Sequence, residues 1–192
     1  LVAHNFTISK DPERIGLVTT VKDSTIALEF QHVQLSNLTR IVRGVMPASG
    51  MLDGNLKFTS SSSGKFSSEL KISELEILEK PLGDLTLGLS HSGDRYAIDL
   101  ALTSNGSNLI AKGFYISNVN TSSFDLSAEF APLNLQAIEP LSFGQLRKVE
   151  GRATGTLRIT GTFAEPKIRG KITFEDASFR STYLNSEFTL RN

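Results

Sequence analysis

Protein chemistry starts from histidine, cysteine, paired carboxylates or an activated hydroxyl, and this chain offers few of them at useful spacing. Its three histidines, His4, His32 and His91, lie far apart, with no second ligand at metal-binding distance along the chain. There is no cysteine, which excludes a thiolate metal site, a disulfide framework and a cysteine nucleophile. Its absence leaves the redox compartment open. No nucleophile elbow, phosphate-binding loop, dinucleotide fingerprint or zinc-protease signature occurs. Two acidic clusters, Glu74 with Glu76 and Glu175 with Asp176, invite comparison with the paired carboxylates of glycosidases. On a strand, Glu74 and Glu76 share one face, whereas the adjacent Glu175 and Asp176 point to opposite faces. Solvated strand residues and turn starters account for both clusters. The reading is a non-enzymatic chain with no catalytic residue, metal or cofactor.

Composition narrows the classes further. The 192 residues are 39% hydrophobic and 21% charged, the profile of a folded domain. Twenty Lys and Arg balance twenty Asp and Glu, so the basic surplus of a nucleic-acid binder is missing and no nucleic-acid partner is expected. No apolar run approaches the roughly 20 residues of a membrane-spanning helix, and no signal peptide opens the chain. The first residues, Leu1 to Phe6, already read as strand, so the chain is expected to be an excerpt of a longer one, with any signal or anchor outside it.

The elements available to position side chains are strands. Leu56-Lys57-Phe58, Tyr96 to Leu102, Thr156 to Thr160 and Lys171 to Glu175 alternate apolar with polar residues, and so do Leu85 to Leu89 and Phe124 to Leu126. Period 2 gives one apolar and one wetted face, the habit of antiparallel sheets. Turn residues punctuate the runs at Lys22-Asp23-Ser24, Ser63-Gly64, Ser92-Gly93-Asp94, Asn105-Gly106 and Glu165-Pro166. About a dozen strands in an all-β antiparallel meander are predicted. Leu35 to Val42, and less regularly Leu133 to Leu141 with Pro140 as a terminator, read as single helical turns.

The two halves repeat with an offset of about 100. Glu29 to Leu35 falls on Glu129 to Leu135, Gly50 to Thr59 on Gly151 to Thr160, and Glu69 to Glu74 on Lys171 to Asp176; Leu85 and Leu87 then meet Phe188 and Leu190. Both units carry Gly-x-x-x-Gly at the same place. A fixed period marks a repeat architecture in which each unit leaves an edge for the next. The chain divides into a partial repeat at 1–34, a repeat at 35–132 and a partial repeat at 133–192, one continuous β segment.

Gly155 to Ala177, which reads GTLRITGTFAEPKIRGKITFEDA, resembles the repeat of the TamB and AsmA-like proteins: G-x-L-x-L-x-G-T, a short connection, P-x-L-x-G-x-I and an acidic-Ala pair. The first unit departs from it, with Ser60 where the second has Gly161 and Lys65 near the place of the proline. The resemblance implies a long sheet curved into an open taco or clamshell with an apolar groove. It also implies a periplasmic location, with an inner-membrane anchor elsewhere in the parent chain. The implied work is phospholipid transport between membranes, or assembly of outer-membrane proteins. The implied partners are phospholipid or another acyl-chain ligand, a TamA- or BamA-like outer-membrane barrel, and unfolded outer-membrane protein strands.

Physics allows such a groove. An amphipathic sheet must cover its apolar face with a second sheet, by closure, or with lipid. At about 0.8 kcal/mol per methylene, an acyl chain of ~14 methylenes gains on the order of 10 kcal/mol. The predicted groove residues are Leu56, Phe58, Leu70, Ile72, Leu85, Leu87, Ile98, Leu100, Leu102, Phe124, Leu126, Leu157, Ile159, Ile172, Phe174, Phe188 and Leu190. The same residues would line the dry core of a structural stalk, a β-solenoid or sandwich in an adhesin or surface protein, and that is the alternative reading.

Overall fold

The computed structural model describes residues 6–20, 25–41, 47–60, 65–104, 106–117, 122–142, 144–162 and 164–190. They form one antiparallel sheet of twelve strands: β1 (Phe6–Lys10), β2 (Glu13–Thr20), β3 (Thr25–Gln34), β4 (Ala48–Thr59), β5 (Lys65–Ile77), β6 (Lys80–Ser92), β7 (Arg95–Ser104), β8 (Ser107–Ser117), β9 (Ser122–Asn134), β10 (Leu146–Gly161), β11 (Pro166–Ser181) and β12 (Ser186–Leu190). Strand order in the sheet is strand order in the sequence, from β1 at one edge to β12 at the other, and the two edges do not pair. The meander is therefore open. Among the described residues, strands pack extensively only on their sheet neighbours, and no second sheet lies across either face.

Two predicted tight turns are in place. Ser92 pairs with Arg95 around Gly93, and Ser104 with Ser107 around Gly106; both glycines have positive φ, 69° and 80°. Glu165-Pro166 closes a four-residue connection from Gly161. Lys22-Asp23-Ser24 and Ser63-Gly64 lie outside the described residues. One two-residue turn carries no sequence signal: Leu78 and Glu79, between Ile77 and Lys80, both take positive φ without glycine or asparagine.

The helical turns fall where they are predicted, with altered detail. Helix α1 covers Leu35–Ile41. In the second unit Leu133 still belongs to β9, and two 3-10 turns follow, Leu135–Ile138 and Pro140–Ser142. Pro140 opens the second turn rather than ending the first, because a first helical residue has no hydrogen bond for its nitrogen to lose.

The core is confined to the end of the sheet under these turns. Leu75, Leu82 and Leu102 form one buried cluster, against which Leu35 of α1 and Ala137 of the first 3-10 turn pack. Leu135, Val149, Ala153 and Ala177 form the other, with Ile138 and Phe179 beside it. Strand bulges aim residues into the buried end of the sheet. His32, Glu74, Lys148 and Asp176 all have φ near +50°, and the residue after each, Val33, Leu75, Val149 and Ala177, is fully buried. A bulge adds a residue to one strand and rotates the next side chain to the other face. Nearby acids satisfy the amides this exposes. His32 N–H donates to Asp53 Oδ1 at 2.9 Å, Glu74 N–H to Asp84 Oδ1 at 2.9 Å, and Val149 N–H to Glu139 Oε2 at 3.2 Å.

Places that the repeat alignment sets against each other are buried alike. Val33 and Leu133, Leu52 and Ala153, and Leu75 and Ala177 are buried pairs at corresponding places. The alignment slips only at its end. Phe188 pairs with Phe179 and Leu190 with Ala177, whereas Leu85 pairs with Ile72. The β11–β12 hairpin turns at Ser181 and Ser186, a four-residue loop further out than the two-residue loop of β5–β6, so β12 lags behind β6.

The candidate apolar face

The register puts all seventeen predicted groove residues on one face. One row of Cα partners runs Leu28, Leu56, Ser68, Leu89, Ile98, Gly113, Leu126, Ile159 and Ile168 from β3 to β11. The next runs Phe30, Gly54, Leu70, Leu87, Leu100, Ala111, Ala128, Leu157 and Gly170.

The seventeen then divide by surroundings. Leu102 is buried, and Ile72, Leu85 and Leu100 pack against its cluster. Ile172 and Phe174 pack against the other cluster. These six belong to the dry end. Leu56, Leu70, Leu87, Ile98, Phe124, Leu126, Leu157, Ile159 and Phe188 are half-buried, while Phe58 and Leu190 are exposed. Of these eleven, Phe188 and Leu190 stand beside the dry end, opposite Phe179 and Ala177; the other nine belong to the open face. Ile26, Leu28, Phe30, Phe66, Leu89 and Ile168 extend it, although sequence reasoning did not select them; the alternation of Ile26, Leu28 and Phe30 was the available signal.

At the end away from the helical turns the rungs become aromatic. Phe58, Phe66, His91, Tyr96, Tyr115 and Phe124 are successive partners on β4 to β9. Phe58 and Phe66 ring centroids are 4.8 Å apart, and His91 stacks on Tyr96 at 4.2 Å. The apolar face thus runs from a capped aliphatic end to an uncapped aromatic one. Ser68 interrupts it with a buried hydroxyl that has no hydrogen-bond partner among the described residues.

The opposite face is polar and ion-paired. Lys112 Nζ lies 2.9 Å from Asp99. Arg158 donates from Nε to Asp125 Oδ1 at 2.9 Å and from Nη2 to Oδ2 at 2.7 Å, a diagonal bidentate pair. These residues border a hollow of about 700 Å³ whose wall includes Lys57, Glu69 and Phe114. A second hollow, about 1110 Å³, lies at the helical end between Glu74, Asp84, Gln136 and Lys148. The hydrogen bonds from Arg158, with its charge, hold the Asp125 carboxyl below its ordinary range. A lowered carboxyl favours the folded state above the ordinary carboxylate range and loses that contribution as pH falls through the folded value. Arg158→Ala is expected to move the Asp125 midpoint upward in an NMR titration of the carboxyl carbon; an unchanged midpoint would mean that the pair does not persist in solution.

The residues considered for chemistry take other places. His32 and His91 lie on different strands, and His4 is outside the described residues. Among the described residues no group of three His, Asp or Glu could hold a metal ion. Glu74 and Asp176 occupy bulges, so strand alternation does not govern their directions, and Glu76 accepts from Ser49 Oγ at 2.9 Å. No protein-family model, curated protein or solved structure matches this chain.

Proposed function

We propose that the chain is a lipid-contacting segment whose open apolar face takes the acyl chains of phospholipid, in a periplasmic protein of the TamB and AsmA-like kind that moves lipid between membranes or aids outer-membrane protein assembly. One observation carries this reading. The chain exposes 13028 Å², whereas a compact monomer of 20.9 kDa exposes about 9,000 Å². The excess of about 4,000 Å² fits a single-layer sheet, on which the leucines, isoleucines and aromatics between β3 and β11 stay half-buried or exposed.

Acyl chains suit such a surface because they need burial and no directional partner. The middle rows offer aliphatic side chains with no fixed polar anchor except Ser68, an arrangement that favours sliding over a single bound pose. The aromatic end supplies Tyr96 and Tyr115, amphipathic rings that sit well where an apolar medium meets water. The stalk reading needs a closed dry core, and a single open sheet does not supply one.

The test is photo-crosslinking in cells with radiolabelled phospholipid, with the probe at Ile98 or at Asp99. Ile98 stands on the apolar face; Asp99, paired with Lys112, stands on the other. Label at position 98 and none at 99 is expected. Equal label at both, or none at either, would remove the lipid reading.

A further inference from the structure

In one row of the polar face a large apolar side chain stands where alternation calls for a polar one. Lys57, Ser67, Ser90, Ala97, Phe114 and Asp125 are successive partners from β4 to β9. Five of the six are polar or small; Phe114 is an aromatic ring, 37% exposed. Arg95 lies over that ring, with Cζ 3.7 Å from its centroid, and a cation–π contact of this kind holds it from one side.

Phe114 lines the hollow of about 700 Å³ on this face, a volume within the roughly 300–1,000 Å³ of small-molecule sites. Between Lys57 and Phe114 the row holds only Ser67, Ser90 and Ala97, and Gly88 adjoins them, so the middle of the hollow is floored with small side chains. From β4 to β8 it spans about 19 Å at about 4.8 Å per strand. Every strand from β4 to β10 has a neighbour on both sides, so the hollow belongs to the middle of the sheet and not to an edge.

Its charges cancel. Lys57, Lys112 and Arg158 line it together with Glu69, Asp99 and Asp125. Lys112 is paired with Asp99, and Arg158 with Asp125. Lys57 and Glu69 have no ion-pair partner among the described residues. With no surplus of either sign, the hollow exerts no net pull on a phosphate, an acidic chain or a polyamine. It is instead dense in donors and acceptors together. A hydroxyl both donates and accepts, so a carboxylate beside a cation satisfies it through charge-assisted hydrogen bonds. A neutral ring with hydroxyls at its rim and C–H bonds on its face meets all of these groups, because polarised C–H bonds are attracted to an aromatic π-system.

We propose that this hollow is a binding site for a short neutral oligosaccharide laid across β4 to β8, with the C–H face of one ring against Phe114 and hydroxyls on Lys57, Glu69 and the Asp99–Lys112 pair. The site lies on the face opposite the acyl-chain face, so the inference does not rest on the lipid reading.

The probes are maltotetraose, cellotetraose and chitotetraose, each titrated into the whole 192-residue chain and followed by calorimetry and amide NMR shifts, with tetragalacturonate as the anionic control. At least one neutral tetrasaccharide is expected to bind in the millimolar range or tighter, with shifts centred on the polar rows of β4 to β8. Phe114→Ala should weaken that binding about tenfold, and Phe114→Tyr, which keeps the ring, should restore it. Lys57→Ala with Glu69→Ala, at two exposed positions outside both buried clusters, should weaken it about fivefold and tests the site independently of Phe114. Leu157→Asp, on the other face, should leave sugar binding unchanged. Binding of none of the three sugars, or tetragalacturonate bound as tightly as they are, would overturn the proposal. So would shifts confined to the apolar face, a folded Phe114→Ala chain that binds as the parent does, or a Lys57→Ala, Glu69→Ala chain that does so.

Discussion

Gly155→Ala is expected to destabilise the chain by about 3 kcal/mol or more, far beyond the ordinary cost of adding a methyl group to a strand. Gly155 has φ of +147°, and a Cβ there would be driven into the carbonyl oxygen of Lys171, with Ile172 Cα only 3.0 Å away. Two costs add: a backbone conformation that side-chain-bearing residues rarely adopt, and a neighbouring strand that would have to retreat. The partner is main chain inside a paired ladder, so it cannot swing aside as a side chain could. Gly54 is in the same position in the first unit, with φ of +133° and its phantom Cβ aimed at the Glu69 carbonyl. Gly93 is the control. Its φ is also positive, +69°, but nothing lies within 4 Å of its Cβ position, so Gly93→Ala should cost only about 1 kcal/mol. Urea unfolding of the three variants measures the difference. If Gly155→Ala and Gly93→Ala fall within experimental error of each other, β10 and β11 do not approach as closely as described.

These glycines show what the sequence made legible. Gly50 and Gly54 recur as Gly151 and Gly155, the spacing from which a repeat is read. All four have positive φ, and each would set a Cβ against the backbone of the paired strand. Alternation from Tyr96 to Leu102 and from Thr156 to Thr160 likewise placed the apolar face, because period 2 leaves no freedom about which residues share a side. The bulges were harder. Phe30 to Val33, Ile72 to Leu75 and Phe174 to Ala177 are spaced by three where alternation requires two, and that break was the visible signal. The residues at the break, His32, Glu74 and Asp176, do not announce positive φ as glycine would, and the acids that bind the amides of His32 and Glu74 come from other strands. Nor could the sequence divide the apolar face into a dry end and an open end. That division depends on α1 and the first 3-10 turn folding back over Leu75 and Val149, a long-range event that leaves the strand pattern unchanged.

The division makes the second large prediction. Leu102→Asp and Leu157→Asp replace leucines on the same face of the same sheet, yet opposite outcomes are expected. Leu102 is 6% exposed and clustered with Leu75 and Leu82. A carboxylate there has no partner and no water, so the loss should exceed about 4 kcal/mol and the chain should not fold. Leu157 lies outside both clusters, and its cross-strand partners are Ala128 and Gly170, two of the smallest side chains on the face. A carboxylate at 157 reaches solvent over them, and the fold should survive with a loss of about 1 kcal/mol. Binding should not survive in the same way, because an acyl chain laid across Leu157 would have to strip water from a charge. Leu100 serves less well as a test site, since it packs against the Leu102 cluster and its replacement would mix the two effects. Urea unfolding separates folding from binding, and the fluorescence of a bound polyene fatty acid reports the second. If Leu157→Asp unfolds as Leu102→Asp does, the face is one continuous dry core and the open end does not exist. If Leu157→Asp folds and takes the fatty acid as the parent chain does, the open end exists but the acyl chain does not lie on it. A folded Leu157→Asp that no longer binds fatty acid is the expected result, and it would separate the residues that hold the sheet together from those that meet its ligand.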